Sequence, residues 1–226
     1  MSLDEGLLRG VYQYGITKPT PIQRSLLPTI LQRRDVMAWS RPCAGKTFAA
    51  VVGMLQQVQR GVRGCQAFIV APTRELSFGI ERVVAYLADP MDIHVGLCTS
   101  VTRARESIES LKDKQIVVGT PPHILDFLQR GLLDGASLQV LVLDSLDEML
   151  PRGSQGLRAL RALLPAEVQV VALSSGRSSE WQEEARAMQR DPLEISLGPE
   201  GSGVEDVRHF YDCTREEWRV ECLVDP

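Results

Sequence analysis

Aromatic residues are scarce in this chain: five phenylalanines, four tyrosines and three tryptophans in 226 residues. They are also scattered, so the sequence gives no sign of the stacked-ring platform used to grip single-stranded nucleic acid. An excess of positive charge is missing too. Lys and Arg number 25 against 29 Asp and Glu, a formal charge of −4, so bulk attraction does not hold a polyanion and any nucleic-acid site has to be local. The five cysteines (Cys43, Cys65, Cys98, Cys213, Cys222) form no C-x-x-C pair and have no histidine at metal-ligand spacing. That excludes a structural zinc site and points to free thiols in a reducing compartment. No apolar run approaches the ~20 residues that cross a bilayer, and the N-terminus MSLDEGLLRG has acids where a signal peptide has bases. A cytoplasmic or nuclear monomer without membrane contact is the expectation.

What is present is ordinary globular composition, 44% hydrophobic and 24% charged, enough for one large domain or two small ones. Short apolar runs alternate with longer amphipathic stretches, the pattern of an α/β fold with a parallel sheet covered on both faces. Strands are predicted at 35–39, 66–71, 93–97, 115–118, 138–143, 168–173 and 193–197, and helices at 46–59, 74–87, 104–111 and 122–128. The segment 198–203 has the composition of a linker. Beyond it, 207–211 reads as a strand and 216–224 as the first turns of a helix. An unpaired strand of that kind is expected to be loosely docked.

Four segments can carry chemistry. SRPCAGKT at Ser40–Thr47 lies between a predicted strand and a predicted helix, the setting of a phosphate-binding loop. There, backbone N–H groups wrap phosphates, Lys46 reaches the outer ones and Thr47 ligates Mg²⁺. The loop is poor in glycine: Ser40 and Cys43 stand at its first and fourth positions and Pro42 removes one N–H donor. If Cys43 has a left-handed backbone, it costs about 1–2 kcal/mol that glycine avoids. The plainer reading is a strand-to-helix turn with a solvated Lys46. Asp144 ends an apolar strand in VLDSLDEML, where a carboxylate can help hold Mg²⁺ or simply cap a turn. In GITKPTPIQ, Gln23 offers the paired donor and acceptor of an adenine reader, although Thr20 and Pro21 also explain the segment as a helix start. Finally, APTREL and GTPPH each feed a helix N-terminus, where backbone donors and Arg74 can hold nucleic-acid phosphates. His123 in the second of these reads as a surface histidine.

Order and separation of these segments resemble the first RecA-like domain of the DEAD-box RNA helicases, in the branch of translation initiation factor 4A. LLRGVYQYGITKPTPIQ is similar to the Q motif, APTREL to motif Ia, IVVGTP to motif Ib and VLDSLDEML to motif II, with HFYDCTREEW near the end. The resemblance implies a RecA-like domain at 1–198, a linker at 199–206 and the start of a second such domain at 207–226. It implies ATP and Mg²⁺ as cofactors, held by Gln23, Ser40, Cys43, Gly45, Lys46 and Thr47, with Thr47 and Asp144 on the metal. Asp144 and Asp147 take the catalytic positions, and Arg74, Thr120 and Pro121 lie by an RNA backbone. Partner proteins of initiation factor 4A are implied as well.

The departures from the family fall on working positions. Its D-E-A-D is D-S-L-D here, so Ser145 replaces the glutamate that activates water, and its S-A-T is Ser174, Ser175, Gly176. A serine hydroxyl is no base near neutral pH, and positioned bases are worth roughly 10²–10⁴-fold in rate. Asp147 loses the hydroxyl that the resemblance would pair it with. The RNA-side glycine doublet corresponds to Ser100 and Val101, and His123 replaces the arginine of T-P-G-R. The aromatic that stacks on adenine in the family would precede Met1, and the second domain, with its arginine fingers, is not completed. The expectation is a weak binder of ATP and RNA with impaired hydrolysis, acting as a binding module; the alternative is an active RNA-dependent ATPase, or part of one.

Overall fold

The apolar runs become strands because their β-branched and aliphatic side chains are wanted on both faces of a central sheet. The computed structural model describes residues 3–62, 64–99 and 111–197. Among these, the strands are β1 (Val36–Ser40), β2 (Ala67–Val70), β3 (Val95–Cys98), β4 (Ile116–Gly119), β5 (Val140–Leu143), β6 (Gln169–Ser174) and β7 (Leu193–Leu197). They form one sheet in the order β3-β4-β2-β5-β6-β1-β7, and every pairing is parallel. All seven predicted strands are found, each within a few residues of its expected limits. The expected α/β, RecA-like parallel sheet is the observed one.

Two layers of helix cover it. One face carries α1 (Glu5–Gln13), α2 (Pro21–Leu31), α3 (Lys46–Leu55) and α4 (Arg74–Ala88), whose Leu7, Ile22, Ala50 and Val84 share a core with Val36, Ala38 and Ile69. The other face carries α5 (Pro121–Gln129), α6 (Leu146–Met149), α7 (Ser154–Ala162) and α8 (Ser179–Met188), whose Phe127, Leu146, Leu157 and Trp181 pack on Met37, Phe68 and Val70. Strand residues thus alternate between two cores, each fully buried aliphatic worth about 1.5–3 kcal/mol. The helix predicted to reach residue 59 ends at Leu55. A side chain on Gly119 would strike the Cys98 carbonyl, so glycine there lets β3 and β4 approach at their ends.

Several expectations lie outside the described residues: the linker at 199–206, the strand at 207–211, the helix at 216–224, Ser100, Val101, Cys213, Cys222 and all but the last residue of the 104–111 helix. The three described cysteines are free. Burial pushes the Cys65 and Cys98 thiols up to about 12, which keeps them unreactive. No helix among the described residues is long and apolar enough to cross a membrane.

Candidate functional site

Strand order, not sequence order, assembles the site. β5, β6 and β1 are neighbours in the sheet, so the segments leaving their carboxyl ends, at 144, 174 and 40–47, meet in one crevice, where open α/β sheets hold ligands. The segments leaving β2 and β4, which begin with Ala71 and Thr120, lie next along the same edge.

The loop after β1 is built around left-handed residues. Cys43 has φ 59° and Gly45 φ 96°. The strain foreseen for a non-glycine residue at position 43 is therefore present. Gly45 is required twice, by its φ and because a side chain there would strike the Gln23 amide. Lys46 opens α3 and is 7% exposed. Its ammonium donates to the Ser40 carbonyl at 2.7 Å, the Ser40 hydroxyl at 3.3 Å and the Arg41 carbonyl at 3.1 Å. This excludes the plain solvated lysine: the cation is folded over the loop among oxygen acceptors of the kind a phosphate supplies. Burial lowers its pKa, and the Asp144 and Asp147 carboxylates oppose that shift.

Thr47, one residue on, donates its hydroxyl to Asp144 Oδ2 at 3.0 Å across 97 positions of sequence. Asp144 is 3% exposed. Burial raises its pKa, countered by the Thr47 hydrogen bond and the Lys46 charge. A hydroxyl and a carboxylate side by side at a helix N-terminus are the hard oxygen donors that suit Mg²⁺. The donor set fits the ion. The described residues contain no cluster of three or more histidine, cysteine or acidic side chains able to form an all-protein metal cage.

The Gln23 segment is stapled to the same loop. Thr20 caps α2 and Gln23 returns the bond, its Oε1 accepting from the Thr20 N–H at 2.9 Å, a complete capping box. Beyond the cap, Gln23 Nε2 donates to the Gly45 carbonyl at 3.2 Å and the Thr20 hydroxyl to the Ala44 carbonyl at 2.8 Å. The helix start read in the sequence is realised, and the segment is also tied to the phosphate-type loop through Gly45 and Ala44.

The opposite wall is wired differently. Ser145 has φ 57° and caps α6 without a side-chain bond. Asp147 Oδ1 is buried with no hydrogen-bond partner. The Ser174 hydroxyl turns onto its own chain, donating to the Gly176 carbonyl at 2.8 Å. Gly176 has open space: a side chain there would meet nothing within 4 Å.

On the neighbouring stretch of edge, Arg74 opens α4, is exposed and lies 3.7 Å from Glu75. Thr120 is buried and precedes Pro121, the first residue of α5. Its hydroxyl is 2.7 Å from His123 Nδ1, so His123 is a restraint on Thr120 as well as a surface residue. Two features had no signal in the sequence. Trp39 and Trp181 pack edge to face at 5.7 Å, with the Arg177 guanidinium 5.8 Å from the Trp39 ring centre. The scattered rings also converge: Tyr14 lies 5.5 Å from both Phe48 and Tyr86. Both sets join residues far apart in sequence.

Comparison with known proteins agrees with this geometry. The DEAD/DEAH box helicase family matches residues 20–183. The whole chain is 37% identical over 228 residues to eukaryotic initiation factor 4A of Drosophila melanogaster, covering 57% of that protein. It is equally similar to the ATP-dependent RNA helicase eIF4A of Aspergillus fumigatus, covering 56% of it, so the chain spans little more than half the length of these relatives. Among solved structures, Saccharomyces cerevisiae Dbp5 bound to RNA and ADP BeF3 superposes with a TM-score of 0.81 at 28% identity, over 87% of this chain and 51% of that one. A DEAD box protein from Methanococcus jannaschii gives 0.82 at 26%, over 87% and 54%. With a phosphate-type loop, a Thr47–Asp144 pair and a capped Gln23 wall at the edge of a parallel sheet, the chain belongs to the DEAD/DEAH box helicase family.

Proposed function

We propose that this chain is a nucleotide- and RNA-binding helicase domain, related to initiation factor 4A, that binds Mg·ATP but hydrolyses it poorly and serves as a binding module. The observation that carries the reading is the contrast between the Thr47–Asp144 bond at 3.0 Å and the orphaned Asp147 Oδ1 beside Ser145. The residues suited to holding a ligand are in place, whereas the group suited to activating water is a hydroxyl.

In this reading, Lys46 and the first N–H groups of α3 hold the phosphates. Thr47 and Asp144 hold Mg²⁺, which neutralises phosphate charge when bound. Gln23 reads the adenine edge, its orientation set by Thr20 and Gly45. Ser40, Cys43 and Gly45 shape the loop. Arg74, Thr120 and Pro121 meet an RNA backbone through a guanidinium and two helix N-termini. Ser145 takes the position where the family resemblance sets the water-activating base, and its hydroxyl is no base near neutral pH; Asp147 keeps its catalytic place in that resemblance, with its Oδ1 unpaired. Partner proteins of the initiation factor 4A kind would engage the helical surfaces.

The test is RNA-stimulated phosphate release by the chain and its Ser145→Glu variant, each supplied with a separately purified second helicase domain. The expected result is background turnover for the chain and a gain of at least tenfold for the variant, the low end of what a positioned base gives. Wild-type turnover with a gain under twofold would overturn the reading and favour an active ATPase.

A further inference from the structure

Helix α4 is amphipathic in an uncommon way. Its inner face buries Ser77, Ile80, Val84, Leu87 and Ala88. Its outer side carries Arg74, Phe78, Arg82 and Tyr86, each exposed. These four recur every fourth residue, so they form one gently winding row with steps of about 6 Å along the axis. Cation and ring alternate. Phe78 is 52% and Tyr86 46% exposed, two rings presented on one side of a single helix rather than one scattered apolar residue. Tyr86 is also braced: Tyr14 meets it edge to face at 5.5 Å and packs in turn on Phe48. Beside it lies a hollow of about 440 Å³ lined by residues that include Gln13, Glu81, Arg82, Tyr86 and Asp89.

We infer that the outer row of α4 is a second binding surface, for single-stranded RNA, running from Arg74 away from the strand-end crevice. The chemistry selects this occupant. Rings stack on bases of any sequence and guanidiniums pair with the intervening phosphates. Phe78 and Tyr86 are about 12 Å apart along the helix, far more than the ~3.4 Å between stacked nucleotides of a duplex strand, so the row suits an open strand with bases splayed one at a time. Of the acids nearby, Glu75 lies 3.7 Å from Arg74 and Glu81 feels the charges of Arg82 and Lys114, while Asp89 lines the hollow beside Tyr86. The surface shares only Arg74 with the RNA contacts of the proposed function.

The test is fluorescence anisotropy of a labelled 20-nucleotide oligouridylate with the full chain, without nucleotide, across a salt series. Phe78→Ala, which removes a ring that is 52% exposed, is expected to weaken binding by roughly 5- to 150-fold, the range for losing one stacked base. Arg82→Ala is expected to weaken it and make the slope of log affinity against log salt shallower by about 0.7. Tyr86→Ala should match Phe78→Ala, with melting temperature checked because Tyr86 touches Tyr14. Binding within twofold of wild type for Phe78→Ala overturns the inference, as does equal affinity for a 20-base-pair duplex. Loss on Arg74→Ala alone leaves the strand-end contacts standing and removes the α4 row; loss on neither removes both. Self-association of the RNA-free chain that vanishes in Phe78→Ala would assign the row to a second copy instead.

Discussion

On one side of the crevice, Lys46 has three oxygen acceptors, Gln23 joins its own helix cap to the loop and Thr47 reaches Asp144. On the other, at the ends of β5 and β6, Asp147 Oδ1 is buried without a partner, Ser145 caps its helix with no side-chain bond and Ser174 bonds only within its own turn. The two sides rest on the same sheet and are covered by equally buried helices. Folding therefore does not require the second set of bonds. A buried carboxylate oxygen left unpaired costs about 1–3 kcal/mol, which the two cores absorb. In the proposed reading, the groups that would hold a ligand also hold the loop together, whereas the groups that would act on it are expendable to the fold.

The comparison can be broken most sharply at Gly45. Gly45→Ala forces a non-glycine residue to φ 96° and drives a methyl into the Gln23 amide, so it should cost about 2 kcal/mol or more and abolish nucleotide binding; urea unfolding and a fluorescent-ATP titration read both. Across the crevice, Gly176→Thr enters open space and restores the hydroxyl that the family resemblance pairs with Asp147. A gain of about 1 kcal/mol is expected, and it should vanish in the Asp147→Ala background of a double-mutant cycle. The smallest effect sharpens the loop itself: Cys43→Gly removes the strain at φ 59° and should raise stability by up to about 1 kcal/mol, part of it lost to the freer unfolded chain, with nucleotide affinity unchanged or higher.

Much of this architecture was legible because short apolar runs of Val, Ile and Leu have few alternatives to a buried parallel strand. Lys46, Thr47 and Asp144 were legible as a set because a loop between strand and helix and an acid at a strand end have one geometry that unites them. The fold brings Thr47 and Asp144 together at 3.0 Å. Other features depend on which strands become neighbours, and local pattern does not carry that information. The meeting of Trp39 with Trp181, the ring row of Tyr14, Phe48 and Tyr86, and the His123 contact to Thr120 are of this kind. Composition counted few aromatics and found no platform, while the fold brings three of the twelve, Tyr14, Phe48 and Tyr86, together where the end of α1 meets α3 and α4. The helix start around Gln23 was legible because Thr20, Pro21 and Gln23 form a capping pattern within four residues, whereas its bond to Gly45 depends on how α2 packs against the loop.

The central claim is that the holding side works and the acting side does not. It is tested most directly by titrating Mg·ATP into the chain and into Lys46→Ala while assaying phosphate in the same samples. The account predicts saturable one-site binding, weakened at least about 100-fold by Lys46→Ala, as expected when a charged phosphate partner is lost from a buried loop, with the bound ATP recovered intact. Phosphate release that disappears in Lys46→Ala, or no binding at millimolar nucleotide, would contradict it.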